Sequence, residues 1–207
     1  MSQEPVDVDS DTDERSVEFK APPEKPISEI MEADKEDQAL MNYKKTLIGD
    51  PERCGAELKL DIIKLTVETK SGRVIEYPIN ATITPKDKGK VIEIDESQEL
   101  PEGCEFRAYM HFKVDRGMVF SLKCHQTVKR MGIKVMGQNI MVGSYRADDA
   151  INKAGLGDEI SIASGMTNRG NYTVTFDLQD LDKKIELKIV TKLKVVTASS
   201  LAKKEAQ

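Results

Sequence analysis

The feature that most constrains this chain is an abrupt change in hydrophobic period at Asp50-Pro51. Before it, apolar residues recur at spacings of three and four, the period of an amphipathic helix. After it they recur at spacings of two, and this continues to about residue 196 with no helical stretch between. Many short strands with polar connections and no intervening helices define an antiparallel β-sandwich or barrel. The expected fold is therefore all-β, preceded by a helical arm.

The arm reads in three parts. Residues 1–25 are rich in Asp and Glu, have almost nothing apolar to bury, and are broken by Pro22 and Pro23, which predicts a disordered acidic tail. Residues 26–50 form the helical part. Pro26 suits an early helical position, and Ile27, Ile30 and Met31 define one short apolar face. Asp34 can cap a second helix with Leu40, Tyr43 and Leu47 along one stripe and Met41 and Ile48 beside it. Gly49 can end that helix with positive φ, and Asp50-Pro51 stops it resuming. Helices this short are not stable alone in water, so their apolar faces require the body of the chain or a partner.

The body spans residues 51–197, followed by a C-terminal tail at 198–207. Strands are expected at 57–69, 74–83, 91–94, 106–114, 119–128, 142–145, 171–178 and 185–196. The alternation changes phase at Ile62-Ile63, which calls for a bulge. Turn chemistry falls at Ser71-Gly72, Lys88-Gly89, Pro101-Glu102-Gly103 and Arg169-Gly170.

Charge is distributed unevenly. Of the net −5, the first 37 residues carry −9 and the remainder +4. An acidic arm on a mildly basic body excludes nucleic acid as the arm's partner, because phosphates would repel it. Cys54, Cys104 and Cys124 are odd in number and form no CxxC pair, which fits free thiols in a reducing cytoplasmic compartment. No apolar run is long enough to span a bilayer, so no direct stable membrane insertion is expected.

Catalytic and metal sites are hard to build from these residues. There are two histidines, His111 and His125. Cys124 and His125 are neighbours on a strand and point to opposite faces, which rules against a nucleophile and base pair. The cysteine spacing matches no zinc pattern. The expectation is a non-enzymatic binding protein with no cofactor and no metal.

Several stretches then carry a resemblance. They are Ser16-Val-Glu-Phe-Lys-Ala-Pro-Pro-Glu-Lys-Pro-Ile-Ser-Glu-Ile30, Asp34-Lys-Glu-Asp-Gln-Ala-Leu-Met-Asn-Tyr-Lys44, Met141-Val-Gly-Ser-Tyr145 and Arg169-Gly-Asn-Tyr172. With the strand at 106–116 and the run at 126–134, they resemble the Rho GDP-dissociation inhibitors from about residue 16 to about residue 196. The resemblance implies an immunoglobulin-like antiparallel β-sandwich with a pocket between its sheets for a geranylgeranyl chain. It also implies a partner, a prenylated Rho/Rac-type small GTPase in its GDP form, bound by a monomer as a 1:1 heterodimer.

Carried onto this chain, the resemblance implies that Asp37, Leu40 and Tyr43 meet the GTPase switch regions. Their spacing makes each a neighbour of the next along a helix flank. For the prenyl pocket the inward candidates are Phe106, Met110, Phe112, Met118, Leu122, Val174, Phe176, Leu187 and Ile189. Burying a twenty-carbon chain there would contribute about 10 kcal/mol before the costs of association. Core packing accounts equally well for each of these nine residues. The sequence departs from the family where tryptophans are usual in the final strand, since Ile185-Glu-Leu-Lys-Ile189 carries aliphatics. It also departs at residues 93–99, where the strand before Pro101 is longer or differently looped. Two other functions suit the same sandwich: a general carrier of prenylated proteins, and a structural or adhesive module with a filled core.

Overall fold

A computed structural model of the chain describes Lys25 and residues 27–33 and 35–205. The expectations placed on residues 1–24, on Pro26 and on Asp34 lie outside the described residues. Three helices come first: α1 (Ile27–Glu32), α2 (Gln38–Ile48) and α3 (Pro51–Gly55). Ten strands follow: β1 (Lys59–Thr69), β2 (Val74–Ile83), β3 (Lys90–Pro101), β4 (Glu105–Arg116), β5 (Met118–Arg130), β6 (Ile133–Arg146), β7 (Asn152–Gly155), β8 (Ile160–Ser161), β9 (Gly170–Gln179) and β10 (Glu186–Val196). A last helix, α4 (Ala198–Glu205), closes the described chain where a tail was expected, and Leu201 is buried.

The strands form two sheets. One has the order β2-β1-β4-β7, with β8 also paired to β4; the other has the order β3-β10-β9-β5-β6. Every pair is antiparallel except β3 with β10, which run parallel at the edge of the second sheet. The inner faces interdigitate into one apolar core. Strand β4 shows why the pattern is so legible: Phe106, Ala108, Met110, Phe112 and Val114 are all buried, and the residues between them are not.

The phase change in β1 is a bulge. Ile62 pairs with Phe112 and Lys64 with His111, so Ile63 has no partner in that ladder. The long connection before Pro101 is a strand with its own irregularity: Ile94 pairs with Thr191 and Ser97 with Lys192, leaving Asp95 and Glu96 as the extra residues.

Helix α3, most of strand β6 and the short β7 and β8 were not expected. Asp50-Pro51 does stop α2, yet it also starts α3, because the Asp50 side chain accepts from the Glu52 and Arg53 backbone N–H groups and Pro51 sits in the first turn. Strand β6 is 14 residues long rather than four. Its alternation is masked in the sequence because it is an edge strand with exposed Ile133, Val135 and Met141 on one side and only half-buried residues on the other.

Candidate functional site

Two regions hold the residues singled out above, the α2 helix and the space between the sheets. The N-cap of α2 is Asp37. Asp37 Oδ1 accepts from the backbone N–H of Ala39 at 2.9 Å and of Leu40 at 3.0 Å, which satisfies two of the donors a helix N-terminus leaves open. Asp37 is thus the N-cap and lies just outside the helix, one turn from Leu40. Its second carboxylate oxygen has no partner among the described residues. The other end closes at Gly49, whose φ is 70° and whose N–H donates to Lys45 O.

The body grips α2 by that C-terminal end. Ile48 is buried, Cys54 Sγ donates to Ile48 O at 2.9 Å, and Arg146 Nη1 donates to Thr46 O. The following helix is anchored too: Arg53 donates to Asp115 O at 3.1 Å and pairs with Asp149 at 3.3 Å. Arg146 and Arg53 were not anticipated, since a surface arginine in a sequence gives no sign that its partner is a backbone carbonyl far along the chain. With Ile48 turned inward, the outward stripe of α2 stays bare. Tyr43 is 61% and Leu47 52% exposed, and Leu40 is half-buried beside them. Asp37, Leu40 and Tyr43 therefore share one accessible surface, with Leu47 as an addition one turn on.

The inter-sheet candidates also come together. Phe106, Met110 and Phe112 on β4 face Leu122 on β5, Val174 and Phe176 on β9, and Leu187 and Ile189 on β10. All eight are buried. Met118 differs: it is half-buried and packs at the margin of the core, while its neighbour Val119 is fully enclosed. These eight side chains are almost inaccessible to solvent, so the interior they share is closed in this structure. The polar exceptions inside the sandwich are few. Gln126 is buried and accepts from Gln138 Nε2, and Thr191 is buried on β10.

The two short motifs build corners of this interior. In Met141-Val-Gly-Ser-Tyr145, the Tyr145 ring turns back to meet Phe112 edge-on, with centroids 4.8 Å apart, and its hydroxyl donates to Val142 O at 3.1 Å. Gly143 has φ 138°, and a Cβ there would sit 3.2 Å from the Tyr145 hydroxyl, so glycine is what lets the ring fold back. In Arg169-Gly-Asn-Tyr172, Arg169 forms a two-pronged pair with Glu102 at 2.7 and 2.9 Å, and Tyr172 donates to Asn168 O at 2.7 Å. That pair draws the Glu102 carboxyl below the usual carboxylate range, chiefly through the hydrogen bond from Arg169.

A groove of about 780 Å³ crosses the outer face of the second sheet, lined by His125, Asn139, Asp177 and Lys188. Its lining mixes the Lys188–Asp177 ion pair at 3.1 Å with apolar side chains such as Val91 and Met141. Cys124 lies inward and His125 outward, as strand geometry requires. Burial pushes the Cys124 thiol up to about 12, which leaves it protonated and unreactive. His111 bonds Thr66 Oγ1 at 3.1 Å, and desolvation lowers its pKa. Among the described residues no three His, Cys, Asp or Glu side chains form a metal-binding group, and no helix is long and apolar enough to cross a membrane.

A two-sheet sandwich with a docked helical arm, the arm's apolar stripe facing outward, defines the structural class of this protein. Known proteins give that class its family. The description "RHO protein GDP dissociation inhibitor" matches the chain over residues 4–197. The chain is 30% identical over 175 residues to the probable rho GDP-dissociation inhibitor of Caenorhabditis elegans, covering 82% of this chain and 87% of that one. It is 31% identical over 182 residues to Rho GDP-dissociation inhibitor 1 of Homo sapiens, covering 86% and 85%. Rho GDP-dissociation inhibitor 3 of Homo sapiens is 32% identical over 142 residues, covering 68% and 61%. The chain belongs to the Rho GDP-dissociation inhibitor family, whose members are regulatory inhibitors and not enzymes.

Proposed function

We propose that this chain binds a prenylated Rho-family small GTPase in its GDP form, slows release of the nucleotide, and carries the GTPase from membrane to cytosol by enclosing its geranylgeranyl group. The observation that carries this reading is the solvent-facing stripe of Tyr43 and Leu47, with half-buried Leu40, on a helix whose other end is fixed to the sandwich. Apolar residues held rigidly in water are what a docking surface requires, because little conformational entropy is left to lose on binding. The open oxygen of Asp37 adds an acceptor for donors on the partner.

In this reading the arm and the interior act on different parts of the GTPase. The stripe covers the switch regions, and the space between β4, β5, β9 and β10 receives the lipid after Met110 and Met118 rotate, methionine being the most adaptable apolar side chain. The aliphatic Leu187 and Ile189 keep that space apolar where the family usually has tryptophan. Tying a modest surface contact to a modest lipid site yields tight overall binding through effective concentration.

The test is extraction of GDP-loaded, prenylated Rho-family GTPase from liposomes, read together with the rate of nucleotide release. The full chain is expected to do both. Tyr43→Asp with Leu47→Asp should abolish control of nucleotide release and weaken extraction while thermal unfolding is unchanged. A folded wild-type chain that extracts nothing would sink the proposal. Extraction of unrelated prenylated cargo with equal efficiency would replace it with a general lipid carrier.

A further inference from the structure

The β5–β6 hairpin turns at Met131-Gly132, between the paired residues Arg130 and Ile133. Both turn residues have positive φ, 50° and 81°. A two-residue turn of this kind favours Asn-Gly or Gly-Gly, since an L side chain at the first position is strained. Here the position holds Met131, which is 90% exposed and gains no packing in return. Ile133, just after the turn, is 71% exposed, and Met166 on the neighbouring loop is 79% exposed. Arg130 ties the two loops together: it donates to Thr167 O and, at 2.7 Å, to Arg169 O, and it lies over the Tyr172 ring at 5.6 Å. Three bare apolar side chains therefore protrude from one end of the sandwich.

The charge around them is equally unusual. The chain has 36 acidic residues, yet residues 116–147 contain none and carry six Lys or Arg. That stretch includes the whole of β5 and of β6. Lys129 and Lys134 are exposed and paired across the hairpin just behind its tip. The arm attaches at the other end of β5, since α3 bonds to Asp115 O, and a strand of this length separates the two ends by about 40 Å.

We propose that the β5–β6 tip, with Met166, is a peripheral membrane contact for an anionic bilayer surface. Met131, Ile133 and Met166 enter the headgroup layer, and Lys129 and Lys134 meet the negative lipid headgroups, the combination of apolar penetration and basic attraction that interfacial binding needs. A second copy of the chain is a poorer occupant, because a two-fold interface at this tip would bring the lysines of each copy toward one another. The contact is independent of the arm and leaves α2 free, so it goes beyond the function proposed above.

The test is flotation of the full chain, without any GTPase, on vesicles of phosphatidylcholine alone and of phosphatidylcholine with phosphatidylserine. Binding is expected only to the anionic vesicles and should weaken with added salt. Lys129→Ala with Lys134→Ala should reduce partitioning about tenfold. Met131→Asn should reduce it about fivefold while raising or preserving the melting temperature, because Asn suits the positive φ. Equal behaviour on the two kinds of vesicle would overturn the proposal, as would unchanged partitioning of Met131→Asn. Concentration-dependent dimers that vanish in Met131→Asn would also overturn it and assign the tip to self-association.

Discussion

Helix α2 and strand β4 carry similar numbers of apolar side chains and use them in opposite ways. On β4, Phe106, Ala108, Met110, Phe112 and Val114 are all buried between the sheets. On α2, Leu40, Met41, Tyr43, Leu47 and Ile48 are equally apolar, yet only Ile48 is buried. The strand's hydrophobic free energy is realised within the chain. Most of the helix's is left available, and the helix stays in place because its C-terminal end is anchored by Ile48, by the Arg146 bond to Thr46 O and by the neighbouring α3. Burial thus separates residues that hold the fold from residues open to a partner, where hydrophobicity alone does not.

The comparison can be broken most severely on the strand side. Phe112→Ala removes a fully enclosed ring that also meets Tyr145, and should cost about 3–5 kcal/mol of unfolding free energy in urea. The matching change on the helix, Tyr43→Ala, should alter stability by less than about 0.5 kcal/mol. If Tyr43 contacts the GTPase as proposed, the same change should weaken binding about thirtyfold, measured by titration with GDP-loaded GTPase. A large stability loss in Tyr43→Ala would erase the contrast between the two regions.

Asp37 sharpens it further, because capping and charge reside in one carboxylate. Asp37→Ala should destabilise α2 by about 1 kcal/mol through loss of the cap. Asp37→Asn keeps a capping oxygen, so it should leave helicity unchanged and weaken only the control of nucleotide release. Wild-type control of nucleotide release in Asp37→Asn, with release impaired only in Asp37→Ala, would show that capping is the residue's whole role. Arg146→Met should loosen α2 without touching the core, costing about 1 kcal/mol and speeding amide exchange over residues 40–48 severalfold.

The smallest expected effect concerns acid. Hydrogen bonds from Lys113 and then Arg53 hold the Asp149 carboxyl below its ordinary range. A carboxylate with a depressed folded pKa contributes stability that is present above its unfolded pKa and is lost as pH falls through the folded one. The anchoring of α3 should therefore weaken between about pH 4 and more acidic values. Asp149→Asn should flatten that part of the pH dependence of the urea midpoint.

Most of the strand framework was legible because one face of each strand is buried and the other wet, which writes a period of two into the residues. β2 falls at 74–83 as read, and the bulge at Ile62-Ile63 appears where the phase changes. Strand β6 was read at a fraction of its length for the converse reason, since an edge strand with neither face fully buried has no clean alternation. Helix α3 was missed because Asp50-Pro51 stops one helix and caps the next with the same two residues. The short β7 and β8 carry too few residues for a period to show.

Taken alone, the sequence determined the class of fold and which residues alternate inward on the central strands, because these depend on local periodicity. Only the tertiary structure decided that Asp37 caps α2, that Ile48 is the face α2 turns to the body, and that Tyr43 and Leu47 remain in water. It also decided that Phe106, Met110 and Phe112 share one closed interior with Leu122, Phe176 and Ile189. These outcomes depend on contacts between residues far apart in the chain, such as Arg146 with Thr46, and no local pattern encodes which distant partner a side chain will meet.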